Sequence, residues 1–406
     1  MTNAAPVVDL EPADLGVGVD PYTQLAAARD AGPVVRSPSG FVLVVGHDAV
    51  VDVLRHPAAG SGAIGRRYVD ALPPGAARDE LSHRINFLDP PDHPRVRGLV
   101  SKVFTPRRIA ELRPFVERTA ADLLDDLAAT TGPVDVQARF AHQLPSLVIS
   151  EMLGVPIDLR DRLTTLSDEV TPLLGVQLDP DERATAIAAA EEMHGVLGEL
   201  LEARRCAPGA DLLSALVEAE EDGERLSRAE LLSLAATLYS AGHRTTRDLT
   251  TSGLSVLLTL PDLTTAARDG SLAPAHVVSE MLRYETPTLY VARIPTEPFE
   301  IAGVEVTPTD PVLVVLASAN RDPTAYPDPD VFDPTRWDLT PPPPTPVSFA
   351  FGAHYCLGAS LARLEAEVMV TSFLERFPDA TPVGDALRWR QRGPFRSLDG
   401  LAVRLT

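Results

Sequence analysis

The sequence predicts a mostly α-helical protein with a smaller β region. Amphipathic helical periodicity fills most of the chain from residue 112 to residue 205. A longer helix begins after Ser227, which forms a capping box with Glu230, and continues to Pro261. At ~1.5 Å per residue such a helix spans the molecule. The strands are expected in two β-richer parts, at about residues 33–57 and 288–310.

We expect a single domain over residues 1–406, because no composition break or flexible linker divides the chain. Its helical core is predicted at about residues 89–285 and 359–377. The segment 58–85 holds several glycines and little periodicity, so we expect a long irregular loop. Loops of this length in compact domains are usually functional.

The net charge of −21 argues against nucleic acid as a partner, because phosphate binding needs clustered basic residues. Residues 1–10 lack the basic start, apolar core and cleavage site of a secretory signal. No uninterrupted apolar run approaches the length of a membrane span. We therefore expect a soluble, cytoplasmic protein with no membrane partner. Cys206, which follows two arginines, is expected to have no role.

The second cysteine, Cys356, lies between Gly352 and Gly358 and directly before a helical run from Ala359 to about Phe377. A helix N-terminus lowers the pKa of a thiol, and glycine-freed N–H groups donate hydrogen bonds to its sulfur. The missing side chains of both glycines let a flat partner approach closely. This spacing suits a thiolate that faces a metal. A buried structural cysteine in a tight turn is the alternative.

The pattern Phe349-x-x-Gly352-x-His354-x-Cys356-x-Gly358 resembles the haem-binding loop of the cytochrome P-450 family. The resemblance implies the family's fold, with the long helix on one side of a haem b and the cysteine loop on the other. It implies that Cys356 is the thiolate ligand of the iron. Phe349 would then pack beside the sulfur, and His354 would reach a haem propionate.

Three further residues match propionate-binding positions of the family. His93 and Arg97 are four apart and share one helix face, where they could hold an anionic group. A solvated basic face is the alternative. Arg293, at the end of the predicted strand from Thr288, matches the family's second propionate-binding arginine.

Glu280 and Arg283 stand three apart on a predicted helix, and Arg336 follows in the run from Phe332 to Trp337. Taken alone, the first two are a routine surface pair. They match the family's Glu-x-x-Arg helix and its later arginine, so the resemblance implies a buried ionic triad that fixes the scaffold of the cysteine loop.

The middle of the long helix carries Ala241, Gly242 and Thr245. Glycine weakens a helix and threonine can bond back to a carbonyl, so the helix could open locally over a ligand. A small-residue packing notch is the alternative. The run resembles the family's oxygen-binding groove, which implies that Ala241 and Gly242 line it and that Thr245 steadies bound dioxygen and a proton-delivering water.

Arg244 departs from the family pattern, which usually has an acidic residue before this threonine. A guanidinium stays protonated near pH 7 and only donates hydrogen bonds. Three interpretations remain open: Arg244 orders the water chain, clamps a substrate carboxylate, or pairs with Asp248 as an exposed helix pair.

The resemblance implies a haem-thiolate monooxygenase that uses O2 and electrons from NAD(P)H through a ferredoxin and its reductase. The substrate would be a small organic molecule, in the tailoring of a bacterial natural product, and the protein a monomer. An acidic ferredoxin could dock on a group of basic residues: Lys102, Arg107, Arg108 and Arg363. The alternatives are a peroxide-driven oxidase, an oxidative coupling enzyme of aromatic rings, and a haem sensor or recruitment module without turnover.

Overall fold

The computed structural model describes residues 5–11, 20–174, 179–221, 224–384 and 387–405. Helices predominate and strands form a smaller part, which confirms the predicted fold class. The chain divides into two compact units. The sheet unit comprises residues 1–60, 120–142 and 245–406, and the helical unit comprises residues 61–119 and 143–244. The single domain stays a prediction.

The helices in chain order are α1 (Tyr22–Ala31), α2 (His47–Arg55), α3 (Gly62–Asp70), α4 (Ala76–Ser82), α5 (Asp92–Val103), α6 (Pro106–Glu111), α7 (Arg113–Ala128), α8 (Gln143–Leu153), α9 (Ile157–Val170), α10 (Pro180–Cys206), α11 (Leu212–Glu218), α12 (Arg228–Leu257), α13 (Pro261–Arg268), α14 (Pro274–Tyr284), α15 (Leu316–Ala319) and α16 (Ala359–Arg376). A π-helical segment occupies Gln137–Ala141. Helices α7 and α12 belong partly to each unit. No helix in the described part of the chain is long and apolar enough to cross a membrane.

The strands are β1 (Val34–Arg36), β2 (Val42–Val44), β3 (Ala59–Gly60), β4 (Val134–Asp135), β5 (Glu220–Glu221), β6 (Glu224–Arg225), β7 (Val291–Pro295), β8 (Phe299–Ile301), β9 (Val304–Val306), β10 (Val312–Val314), β11 (Thr381–Pro382), β12 (Trp389–Arg392), β13 (Phe395–Leu398) and β14 (Ala402–Arg404). Five of them form a sheet in the order β1-β2-β10-β7-β3. β10 runs parallel to β2, and the other neighbours are antiparallel.

The five-stranded sheet is buried on both faces. Val42 and Val44 of β2 belong to one apolar cluster, which includes residues of α2. Leu43, between them, belongs to a second cluster, which includes residues of α1. Successive side chains of a strand point to opposite faces. The continuous run of β-branched residues that predicted these strands is therefore typical of strands covered on both sides.

The long helix α12 spans 30 residues and begins with the predicted capping box. The Glu230 N–H donates to Ser227 Oγ (3.2 Å), and the Ser227 N–H donates to Glu230 Oε2 (2.7 Å). The helix is α-helical throughout the run from Leu238 to Thr246. The predicted ability of the helix to open locally over a ligand stays a prediction.

One prediction needs correction. The segment 58–85 is not irregular, since it contains α3 and α4. The N-cap of α2 is Gly46, and the carboxylate of the distant Asp322 accepts from the His47 N–H (2.8 Å).

Candidate active site

The cysteine loop lies between two short 3₁₀ turns and helix α16 in the sheet unit. The Cys356 N–H donates to the Phe349 carbonyl (2.9 Å), which closes the loop on itself. Cys356 is half-buried, and α16 begins three residues later at Ala359. The thiol therefore sits just before a helix N-terminus, where a thiolate is favoured.

Position 352 requires a glycine, both for its backbone conformation and for its close neighbours. Its φ is +71°, and a Cβ at this position would meet the Leu54 carbonyl oxygen at 2.5 Å. The glycine therefore allows the cysteine loop to pack directly on the end of α2. By contrast, a Cβ at Gly358 would meet nothing within 4 Å, so the loop is open at this glycine.

Asn320 anchors the segment that enters the cysteine loop, a role that was not predicted from the sequence. Its Oδ1 accepts from the Val347 N–H (2.8 Å), and its Nδ2 donates to Ser348 Oγ (2.8 Å) and Thr286 Oγ1 (2.8 Å). Ser348 Oγ in turn donates to the Leu282 carbonyl (2.7 Å). The fully buried amide thus links α14 to the loop.

Glu280, Arg283 and Arg336 form a compact ionic triad. Arg283 donates to the carboxylate through Nε (2.9 Å) and Nη2 (2.7 Å), and Arg336 Nε donates to Glu280 Oε1 (3.1 Å). The Asp333 N–H adds a further hydrogen bond to Glu280 Oε1 (2.8 Å). All three charged side chains are buried, and Glu280 and Arg283 are fully so. The remaining guanidinium donors reach backbone carbonyls, so this charge cluster is satisfied.

The predicted propionate-binding residues lie on three segments of the chain, two in the sheet unit and one in the helical unit. Arg293 is buried on β7 of the sheet unit, and its Nη1 donates to the carbonyl of Ala292 (2.8 Å). His354 is half-buried in the cysteine loop. In the helical unit His93 and Arg97 both lie on α5, as predicted, with His93 buried and Arg97 half-buried.

The predicted groove residues of α12 differ in exposure. Ala241 is exposed and Thr245 half-buried, although His243 between them is buried. Residues four apart share a helix face, so this face of α12 is the accessible one. Gly242 has a different environment, because a Cβ there would meet the Ile149 side chain at 3.0 Å. The alternative of a packing notch therefore describes Gly242, which lets α8 approach α12.

Arg244 is only 7% exposed and Asp248 is fully buried. A pair between them would therefore be buried rather than exposed. Asp248 accepts a hydrogen bond from Arg247 Nε (2.8 Å), a partner that was not predicted from the sequence. All three interpretations of Arg244 stay open.

Glu365 is a fully buried carboxyl on α16 that was not predicted from the sequence. It lies near Thr246, yet no group in the described residues donates a well-formed hydrogen bond to either of its oxygens. Burial raises the pKa of Glu365 well above the ordinary value, although the Thr246 hydroxyl opposes this shift. The sequence did contain a signal for a buried carboxyl at this position. Glu365 follows Leu364 and lies four residues after Leu361, on the apolar side of the helix.

The basic residues proposed to dock a ferredoxin are not equivalent. Lys102 and Arg107 are exposed, and Arg107 pairs with Glu111 (3.0 Å). Arg363 is half-buried, its guanidinium lies 5.3 Å from the centre of the Phe349 ring, and its Nη1 donates to Ser279 Oγ (3.1 Å). Burial lowers the pKa of Arg363. The Arg363 guanidinium is therefore engaged by Phe349 and Ser279, and it is less exposed than Lys102 and Arg107.

The residues of the cysteine loop fit a haem. The loop offers one soft thiolate donor before a helix N-terminus. Its two glycines leave out side chains that would stand between the loop and a flat partner. Soft thiolate ligands suit iron in haem proteins. The loop geometry thus fits a haem-thiolate centre.

Comparison with known proteins agrees with this class. The sequence profile of the cytochrome P-450 family matches residues 31–270 and 275–388. The chain is 39% identical to the cytochrome P-450 monooxygenase PikC of Streptomyces venezuelae over 413 residues, covering 99% of this chain and 95% of PikC. It is 40% identical to the 6-deoxyerythronolide B hydroxylase of Saccharopolyspora erythraea over 337 residues, which cover 82% of this chain and 80% of the hydroxylase.

A solved structure has the same fold. The cytochrome P-450 PksS of the Bacillus subtilis bacillaene polyketide synthase superposes with a TM-score of 0.86 at 30% identity, covering 98% of this chain and all of PksS. The chain therefore belongs to the cytochrome P-450 family, and it is a cytochrome P-450 monooxygenase. The family's cofactor is haem iron.

Proposed function

We propose that this monooxygenase inserts one oxygen atom of O2 into a polyketide-type natural product. Electrons come from NAD(P)H through a ferredoxin reductase and a ferredoxin. The identity of 39% to the monooxygenase PikC over 99% of the chain carries the reaction class. The names of two other relatives support the substrate class, since one is a hydroxylase of 6-deoxyerythronolide B and the other a polyketide biosynthesis P-450.

Cys356 holds the haem iron as a thiolate, and the haem supplies the activation of dioxygen. Phe349 packs beside the sulfur. His93, Arg97, Arg293 and His354 hold the propionates through charge-assisted hydrogen bonds. The Glu280 triad and Asn320 fix the segments on which the cysteine loop rests.

Thr245 is the residue that holds the water from which protons are delivered, and Ala241 shares its accessible helix face. Arg244 cannot relay a proton as the usual carboxylate does, because a guanidinium keeps its protons near pH 7. Its place next to Thr245 suits a donor that orders water, with the protons themselves moving through water and the threonine hydroxyl.

Lys102 and Arg107 provide the exposed positive charge for an acidic ferredoxin on a chain whose net charge is −21. Local positive charge steers an acidic partner to its docking surface in spite of the overall repulsion. Charge reversal at both positions raises the apparent KM for ferredoxin and leaves the haem spectrum unchanged. An unchanged KM would remove this surface from the proposal.

The experiment that tests the function is a reconstitution with ferredoxin, reductase, NADPH and isotopically labelled O2, using a panel of macrolactones. We expect one labelled oxygen atom in the product and no product when ferredoxin is omitted. The variant Cys356→Ser serves as the inactive control, and Cys206→Ser is expected to behave as the parent. A panel that shifts no haem spectrum and yields no labelled product would contradict the polyketide substrate class.

A second candidate is a peroxide-driven oxidase, favoured by the buried Arg244 where the family usually has an acid. Peroxide alone would then support turnover at a rate close to that of the electron-transfer chain. Arg244→Ala separates the interpretations of this residue. We expect it to uncouple NADPH use from product if Arg244 orders water. If Arg244 clamps a substrate carboxylate, it instead weakens the binding of carboxylic acids but not of their esters.

A further inference from the structure

Arg363 is connected to the backbone of Cys356 through Phe349. Its guanidinium lies 5.3 Å from the centre of the Phe349 ring. The carbonyl of Phe349 accepts from the N–H of Cys356 at 2.9 Å. A movement of Phe349 therefore moves the backbone that carries the thiolate.

The other end of Arg363 is fixed to a rigid part of the scaffold. Its Nη1 donates to Ser279 Oγ at 3.1 Å, and Ser279 directly precedes Glu280 of the buried ionic triad on α14. Arg363 itself lies on α16, the helix that follows Cys356. The side chain thus spans from α16 to α14 and covers Phe349 between them.

The residue after Phe349 holds a strained backbone. Ala350 has φ 56° and ψ −165°, a conformation that is essentially restricted to glycine. Its methyl group is buried in the same apolar cluster as Val347. Such a conformation persists only where the surroundings fix the chain on both sides. The loop therefore relaxes away from this conformation unless it is held.

Each side of Ala350 has one fixed point in the structure. Before it, Asn320 holds Val347 and Ser348. After it, Gly352 packs on the Leu54 carbonyl. Phe349, between these points, has its ring covered by Arg363. The Arg363 contact thus acts on the residue hydrogen-bonded to Cys356, on a ring that also meets the Tyr355 ring edge-on at 6.5 Å between centres.

We propose that Arg363 is a positioning residue for the thiolate: it clamps the Phe349 ring to α14 and holds the strained loop in the conformation that presents Cys356 to the haem iron. This inference rests on the proposed role of Cys356 as the iron ligand. The guanidinium places a positive charge beside the Phe349 ring, whose residue accepts from the Cys356 N–H, and a cation over an aromatic ring is attracted to its face. Arg363 therefore acts through both position and charge.

The test uses Arg363→Leu, with Arg376→Leu as a matched control. Arg376 lies on the same helix and also covers a phenylalanine, Phe377 at 5.7 Å, but it is exposed and far along the chain from the loop. The readouts are the Soret band of the ferrous carbon monoxide complex and the iron midpoint potential. We expect a severalfold larger blue-shifted fraction and a more negative potential in Arg363→Leu, with no change in Arg376→Leu.

The double variant Arg363→Leu/Ala350→Gly separates position from charge. Glycine accepts the loop conformation without strain, so we expect the thiolate band to recover while the potential stays negative. Arg363→Lys keeps the charge, so we expect its potential to stay near that of the parent and its thiolate band to be partly lost. If Arg363→Leu does not retain haem, Arg363→Lys and Ser279→Ala are compared with Arg376→Leu in its place.

Spectra and potentials of Arg363→Leu equal to those of Arg376→Leu would overturn the proposal. So would a double variant whose thiolate band does not recover. If Arg363→Leu does not retain haem, the proposal is overturned when neither Arg363→Lys nor Ser279→Ala differs from Arg376→Leu. None of these readouts needs substrate or turnover, so a failure to oxygenate polyketides leaves them intact. A parent protein without a thiolate band would instead contradict the proposed role of Cys356.

Discussion

Glu280 and Glu365 are both fully buried carboxyl groups of the sheet unit, and their surroundings are opposite. Glu280 accepts hydrogen bonds from Arg283, Arg336 and a backbone N–H. Glu365 lies near the Thr246 hydroxyl, and within the described residues neither of its oxygens has a well-formed hydrogen bond. A buried charge is tolerated where partners replace its hydration, and elsewhere the group stays protonated. The same burial thus fixes a scaffold at Glu280 and raises the pKa of the carboxyl at Glu365.

The largest effect is expected from Arg283→Ala. Removing this guanidinium leaves Glu280 with one ionic partner in a dry environment, which costs about 3–5 kcal/mol of unfolding free energy. The cysteine loop rests on the same helix, so we also expect the variant to purify without haem. Urea unfolding and the haem content per chain measure both effects. Normal haem content would contradict the scaffold role of the triad.

Asn320→Ala is expected to have the next largest effect. It removes the acceptor of the Val347 N–H and the donor to Ser348 and Thr286, all of which are at 2.8 Å. Leaving buried partners unpaired costs about 1–3 kcal/mol. Because two of these partners precede the cysteine loop, haem is also lost faster to apomyoglobin. A variant that keeps the parent's haem-loss rate would show that Asn320 does not anchor the loop.

Glu365→Gln is expected to stabilise the protein. The raised pKa means that the native state keeps a proton on Glu365 at pH values above 4.5, where the unfolded chain releases it. The parent therefore loses stability as the pH rises above 4.5, and glutamine removes that loss. We expect the gain to be near zero in acid and to reach about 1–3 kcal/mol near neutral pH. Thermal unfolding at several pH values measures it.

The control for this prediction is Glu375→Gln, an exposed carboxyl on the same helix. It is expected to show no pH-dependent gain. A stability difference between Glu365→Gln and the parent that does not grow with pH would mean that Glu365 is ionised in the native state.

The smallest effect is expected from Arg107→Ala, which removes an exposed pair with Glu111 at 3.0 Å. Exposed pairs four apart on a helix contribute about 0.3–0.5 kcal/mol. We expect a change of this size in urea unfolding, with unchanged haem content. A loss comparable to that of Arg283→Ala would remove the distinction between buried and exposed pairs.

The features that were predictable from the sequence are local in the chain. The capping box of α12 follows from residues a few positions apart. The cysteine loop and the Glu-x-x-Arg helix are specific short patterns. Their recognition predicted the P-450 fold, which the structure and the comparisons confirm.

The features that were missed depend on contacts between distant segments. The N–H of His47 is satisfied by Asp322, 275 residues away, and no local rule reveals such a cap. Arg363 looked like a surface cation because its ring contact and serine partner lie on other segments. The short helices α3 and α4 lack side-chain caps, which explains why their segment was predicted to be a loop.

The most direct test of the haem-thiolate assignment is the carbon monoxide spectrum of the dithionite-reduced protein, compared with those of Cys356→Ala and Cys206→Ala. We expect the thiolate-ligated Soret band in the parent and in Cys206→Ala, and its complete loss in Cys356→Ala. Cys206 is an exposed free thiol and provides the matched control. A thiolate band that survives in Cys356→Ala, or that disappears in Cys206→Ala, would contradict the assignment of Cys356 as the iron ligand.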